Sequence, residues 1–214
     1  MKKIIKRLLI AIGVVLLLII TFSAFYYFKA KSEIKKMSSA ETKQIDETVI
    51  SIKDAFCNVY LIKDSDKYIA IDAGNNLDNI SNELKKLNIN PDNVATVLLT
   101  HTDGDHVAAL PLFKNAKIFM SKQEEDLING KKSRFLFFGN KISSKEYTLI
   151  NDRDSLNIGS VSVKGFLVPG HTPGSMSYLI NNKYLFTGDA LSLKNGEVDR
   201  FNEFFNMDTL IVHI

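Results

Sequence analysis

The chain has 214 residues, 45% of them hydrophobic, with 27 Lys and Arg against 24 Asp and Glu and a single cysteine. That length gives room for one membrane element and one domain of ordinary size, and the lone Cys57 excludes an internal disulfide framework. Residues 1–46 hold nine of the basic residues but three of the acidic ones, leaving 18 against 21 in the rest, so a broad basic surface for nucleic acid is not indicated.

Leu8 to Phe28 contains no charged residue over 21 positions. As a helix rising about 1.5 Å per residue it would span roughly 31 Å, enough to cross a hydrocarbon core. Lys2, Lys3, Lys6 and Arg7 precede it, and Lys29, Lys31, Lys35 and Lys36 follow. A cleaved signal would place small residues before the cut. Here Ala24 has Phe22 two positions before it, and Ala30 has Phe28. Tyr26, Tyr27 and Phe28 instead suit an interfacial anchor. The expectation is an uncleaved signal anchor: a basic flank at 1–7, a membrane span at 8–28, a polar linker or helix extension at 29–46, and a domain at 47–214. The compact basic cluster at the N-terminus predicts a single-pass cell-membrane protein with its domain outside the cytoplasm.

From residue 47 the pattern is rich in strands. Thr48–Lys53 alternates in part. Asn58–Ile62 and Tyr68–Asp72 flank the polar Lys63–Lys67 and predict a hairpin. Ile80, Leu84 and Leu87 recur at helical spacing, predicting a helix over 78–88, with Pro91 beyond its end. Cys57 lies in an apolar stretch and reads as a small buried hydrophobe. Val94–Thr100 is a nearly apolar run that predicts a buried strand. A helix is expected over Val107–Phe113, a strand at Lys117–Ser121 and a helix at Gln123–Asn129. Gly130–Lys145 is polar with interspersed aromatics and reads as a surface loop or substrate flap. Ser160–Val168, Met176–Ile180 and Tyr184–Thr187 complete the strands, with Asn181-Asn182 as a tight turn. Strands in series with helices between some of them predict a mixed α/β (α+β) domain of face-to-face sheets covered by helices.

Three of the four histidines fall in short polar segments after predicted strands. The segments are His101-Thr102-Asp103-Gly104-Asp105-His106, Pro169-Gly170-His171-Thr172-Pro173-Gly174 and Thr187-Gly188-Asp189, with Ile71-Asp72-Ala73-Gly74 upstream. Imidazoles and carboxylates clustered on loops are what hard-to-borderline divalent metals require. Pro173 and the flanking glycines stiffen the turn that carries His171.

These segments, in this order, resemble the metallo-β-lactamase superfamily, whose pattern is H-x-H-x-D-H, a single His on a turn, a bridging Asp and a final His. The resemblance covers about residues 47–209, and the Pro-Gly-His-Thr-Pro-Gly-Ser segment is similar to the thioesterase-like and lactonase-like branches. It implies an αββα sandwich. It also implies one metal held by His101, Asp103 and His171, a second by Asp105 and His106, and Asp189 between them. Asp72 is expected to support the ligand loops rather than bind metal. Asp103 stands where the family usually has its second His. This H-x-D-x-D-H form resembles hydrolase domains of bacterial DNA-uptake channels, and its harder donor set admits manganese or iron beside zinc. No Gly-His-Gly-like loop follows Asp189. His213 is a weak candidate for the final ligand, and the expectation is a shortened C-terminal part with a stronger first metal site than second.

The implied chemistry is hydrolysis of a small-molecule ester, thioester, lactone or phosphoester by a metal-bound hydroxide, with Asp105 also orienting the nucleophile. One or two divalent ions, zinc foremost, would be the cofactor. The competing readings are a catalytically weak member that keeps the fold, and a nuclease, which the near-neutral domain disfavours.

Overall fold

The computed structural model describes residues 2–135, 137–144, 146–194 and 196–208. The expected weak ligand His213 lies outside the described residues. The chain divides into two units, Met1–Met37 and Ser38–Ile214. The first is one helix, α1, Lys2–Ile34, long and apolar enough to cross a membrane.

The second unit begins on the edge of a sheet. Strand β1, Lys43–Gln44, pairs with β2, Val49–Asp54. Residues around it are polar because an edge strand faces water on one side. That explains why they read as linker. Ser51 Oγ donates to the Glu41 carbonyl, and the Lys53 N–H donates to Thr42 Oγ1. Next come β3, Cys57–Asp64, and β4, Lys67–Ile71, joined by a tight turn in which Ser65 has φ +57°. Helix α2, Leu77–Lys86, is capped by Asn76, whose side chain accepts from the Asn79 N–H. Strand β5, Val94–Leu98, follows in parallel with β4.

The expected helix over 107–113 is broken. Helix α3 spans Gly104–Val107 only, and a separate 3-10 turn covers Leu110–Leu112. Pro111 lacks the N–H that a continuous helix would use and instead opens the new turn. Then come β6, Lys117–Ser121, and α4, Lys122–Ile128. After the 130–145 segment, β7, Thr148–Ile150, completes a seven-stranded mixed sheet in the order β1 to β7.

The second sheet has four antiparallel strands: β8, Ser155–Ile158; β9, Val161–Leu167; β10, Met176–Ile180; and β11, Tyr184–Phe186. The turn between the last two is Asn181-Asn182, with φ of +51° and +52°, the left-handed pair that suits a tight hairpin. Beyond Asp189 lies a hairpin of β12, Leu191–Lys194, and β13, Glu197–Arg200.

The period of two along the strands splits the core into two layers. Ile62, Ile69, Ile71 and Leu98 meet Val161, Val163, Met176, Tyr178 and Ile180 between the sheets. Val59, Leu61, Ala70, Val97 and Leu99 face the other way, onto Ile80 and Leu84 of α2. Truncating Leu98 to Ala would cost about 2–5 kcal/mol. On the other face of the small sheet, Ser162 and Lys164 are exposed. The sandwich therefore holds the strand ends rigid, and the loops after β5, β9 and β11 emerge together.

Candidate metal centre

His101 sits three residues beyond β5, with Thr100 before it. Hydrogen accounting fixes its ring. The Thr100 N–H donates to Asp72 Oδ1 at 2.7 Å, and Thr100 Oγ1 donates to Asp72 Oδ2 at 2.8 Å. The hydroxyl has one proton, and a carboxylate only accepts. Toward His101 Nδ1, 3.0 Å away, Thr100 can therefore only accept. The His101 proton lies on Nδ1, and Nε2 presents a lone pair.

Asp72 also holds His106. His106 Nδ1 lies 2.9 Å from Asp72 Oδ2, so Nε2 again points away from the support. Asp72 achieves this with φ +61°, a backbone conformation few side chains adopt. Among the described residues, His106 Nε2 and His101 Nε2 are both buried without a hydrogen-bond partner. Two such atoms side by side need an explanation, because buried polar groups are nearly always paired.

Asp189 faces both. Its Oδ1 lies 3.4 Å from His106 Nε2, and its Oδ2 lies 4.0 Å from His101 Nε2 and 3.5 Å from His171 Nε2. Donor atoms around a tetrahedral zinc ion with bonds near 2.0–2.1 Å stand about 3.4 Å apart. The 3.4 and 3.5 Å separations match that value and the 4.0 Å one is wider, and the donor atoms of His101, His106 and Asp189 lie close enough to share one ion. So do those of His101, Asp103 and His171. Asp105 is at the rim, its Oδ2 3.7 Å from His106 Nε2.

Asp189 reaches this point through Gly188, which has φ +51°. A Cβ there would stand 2.6 Å from Thr100 Cβ. Only glycine lets the β11 loop close on the β5 loop.

The charges are distributed unevenly. Burial pushes His101 well below its ordinary range, aided by His106 and His171. Burial also opposes charge on His106, but the carboxylates of Asp72, Asp189 and Asp105 hold it well above its ordinary range. Asp189 stays below the usual carboxylate range despite its burial, held there by the three imidazoles. Asp105 is raised, chiefly by burial, with Asp189 and Asp103 adding repulsion.

Three residues were not foreseen. Glu124, with no exposed surface, accepts from the Thr102 N–H at 2.8 Å, Thr102 Oγ1 at 2.5 Å and Thr172 Oγ1 at 2.5 Å. It ties the loop of His101 to the loop of His171. Ser121-Lys122-Gln123-Glu124 has the form of a capping box, and Ser121 Oγ does accept from the Glu124 N–H. The Glu124 carboxylate is spent on the loops instead. Arg134 and Asn140, from the segment after α4, both donate to Asp103. Nothing in their spacing marks them out. Cys57 is half-buried rather than buried as expected; desolvation of its thiol still holds it up at about 12, so it is not a reactive cysteine.

Residues 52–211 match the model of the family described as the metallo-beta-lactamase superfamily. The chain belongs to that superfamily. It is 31% identical over 137 residues to the probable polyketide biosynthesis zinc-dependent hydrolase BaeB of Bacillus velezensis, covering 62% of this chain and 54% of that protein. It is 35% identical over 116 residues to the hydroxyacylglutathione hydrolase of Bartonella tribocorum, covering 52% and 39%. This superfamily member therefore spans about half the length of the curated relatives it matches. Among solved structures, the metallo-beta-lactamase GOB-18 of Elizabethkingia meningoseptica superposes with a TM-score of 0.58 at 25% identity, over 69% of this chain and 59% of that one.

Proposed function

We propose that the chain is a membrane-anchored, zinc-dependent hydrolase of a small-molecule ester, thioester, lactone or phosphoester. The observation that carries this is the pair of buried, unpartnered Nε2 atoms of His101 and His106 beside the Asp189 carboxylate. Relatives named as zinc-dependent and hydroxyacylglutathione hydrolases support the reaction class. Imidazole donors favour zinc or iron over manganese, and the relatives named as zinc-dependent support zinc.

When bound, the ion supplies Lewis acidity, polarising the scissile group and acidifying water. His101, His106 and Asp189 would hold it, with Asp105 at the edge and Asp103 and His171 opposite. Asp72 accepts from His106 Nδ1 and so leaves Nε2 as the nitrogen that would meet the ion, with loss of the proton that Asp189 and Asp105 favour there. Asp105, with Oδ2 3.7 Å from His106 Nε2, would orient the attacking water at the edge of the ion. Glu124 and Gly188 keep the three loops at one distance from each other.

Helix α1 supports anchoring, and Lys2, Lys3, Lys6 and Arg7 support a cytoplasmic N-terminus with the domain outside. The excess of acidic over basic residues after position 46 speaks against a nucleic-acid substrate.

The test is hydrolysis by the full chain in detergent, against p-nitrophenyl esters, an acyl thioester, a lactone and a bis-p-nitrophenyl phosphodiester. The reading predicts turnover of at least one class, abolished by chelator and restored by zinc. Zinc-loaded, folded protein inert on all four classes would refute it.

A further inference from the structure

The two halves of the centre are not alike. Around His101, His106 and Asp189, two buried nitrogens have no hydrogen-bond partner among the described residues. Around Asp103 and His171 a cation is already present. Arg134 Nε lies 2.8 and 2.9 Å from the two oxygens of Asp103, and its terminal nitrogen lies 2.7 Å from Oδ2. The same terminal nitrogen is 3.3 Å from His171 Nε2 and donates to the Phe205 carbonyl at 2.8 Å. Asn140 Nδ2 adds a further donor to Asp103 Oδ1 at 2.8 Å. The result is a forked guanidinium–carboxylate pair of the strong, directional kind.

The segment that brings Arg134 is itself tied down. The Arg134 N–H donates to the Phe138 carbonyl, and the Asn140 N–H to the Leu127 carbonyl at the end of α4. Gly139 lets it pack there, since a Cβ would stand 2.3 Å from the Leu127 carbonyl oxygen. A guanidinium does not give up its proton in a protein. A second divalent ion at Asp103 and His171 would have to displace it or sit against its charge.

From this we propose that Arg134 is a positioning residue that acts as the resident cation of the Asp103–His171 half. It replaces a second metal, so the chain holds one divalent ion, at His101, His106 and Asp189. This rests on the metal-site reading above and reverses the ranking that the ligand count alone suggests.

The experiment is a zinc titration of the full chain in detergent, after chelator treatment, read by competition with a chromogenic chelator and by elemental analysis. Wild type is expected to take one tight equivalent, with any second at least a hundredfold weaker. Arg134→Ala and Arg134→Gln are expected to gain a second equivalent, its affinity raised at least tenfold, while Arg134→Lys, which keeps the charge, stays at one. Arg134→Gln retains hydrogen-bonding groups and carries the test if Arg134→Ala does not fold. Two equivalents of similar affinity in wild type would overturn the proposal and leave the metal site standing. One equivalent in a folded Arg134→Gln would also overturn it. No zinc in wild type would overturn both.

Discussion

Replacing Glu124 by Ala removes the link between the His101 loop and the His171 loop. Its carboxylate accepts three bonds, two from Thr102 and one from Thr172. Thr102 Oγ1 keeps a donor in Asn140 Nδ2, and the Thr172 hydroxyl keeps a partner in Ser175 Oγ, 2.9 Å away. The Thr102 N–H does not, and an orphaned buried donor costs about 1–3 kcal/mol. The cavity left at a fully buried position adds about 1–2 kcal/mol. Together they give about 3 kcal/mol, which lowers the melting temperature of a domain this size by roughly 6–12 °C. Glu124→Gln should lose about 1 kcal/mol, since its amide oxygen can keep both Thr102 bonds. The assay is thermal unfolding by circular dichroism with and without chelator, paired with zinc competition. Zinc affinity should fall about tenfold in the Ala variant, about 1.4 kcal/mol, because the loops no longer hold a fixed separation. An Ala variant that melts within about 2 °C of wild type and binds zinc equally well would refute the reasoning.

Other outcomes follow from the same contacts. Burial raises the pKa of Glu124, so ionising it opposes folding as pH rises from the ordinary carboxylate range through its raised value. Denaturant melts should therefore show wild type losing stability relative to Glu124→Gln across that window, and a pH-independent gap would contradict this. Asp72→Asn loses the carboxylate that orients His106 and should weaken zinc binding about 10- to 100-fold; affinity within about twofold in the same competition assay would count against the role. Gly188→Ala forces a left-handed residue against Thr100 and should lower the melting temperature and release zinc, at about 1–3 kcal/mol for the backbone alone. Leu17→Arg with Leu18→Arg adds about 6 kcal/mol to the transfer of α1 into a bilayer, so the variant should leave the membrane pellet in alkaline carbonate while wild type stays.

The candidate ligand cluster was legible because its residues are local. His101 to His106 share one loop, and Pro and Gly mark the His171 and Asp189 turns. The sandwich was legible from β-branched runs such as Val94–Leu98 and from the Asn181-Asn182 turn. The residues that hold the loops together were not. Arg134 meets Asp103 across 31 positions and Glu124 meets Thr172 across 48; Glu124 lies in a polar stretch that looks like solvated surface, and Arg134 stands between such a stretch and an aromatic run at 135–138. Strands β7, β8, β12 and β13, of three or four residues each, are too short for alternation to register; β11, equally short, is legible only from the Asn181-Asn182 turn that precedes it. The helix expected over 107–113 failed at Pro111, whose ring starts a 3-10 turn where the apolar run suggested continuity.

The central claim is that the unpartnered imidazoles of His101 and His106, with Asp189, form a metal site. The direct measurement is elemental analysis of the full chain purified in detergent without chelator, beside Asp189→Asn and His106→Ala. The account predicts about one zinc per wild-type chain, and loss of most of it in both variants while the circular dichroism spectrum is kept. Folded wild-type protein that carries no divalent metal, even after zinc is added back, would contradict it.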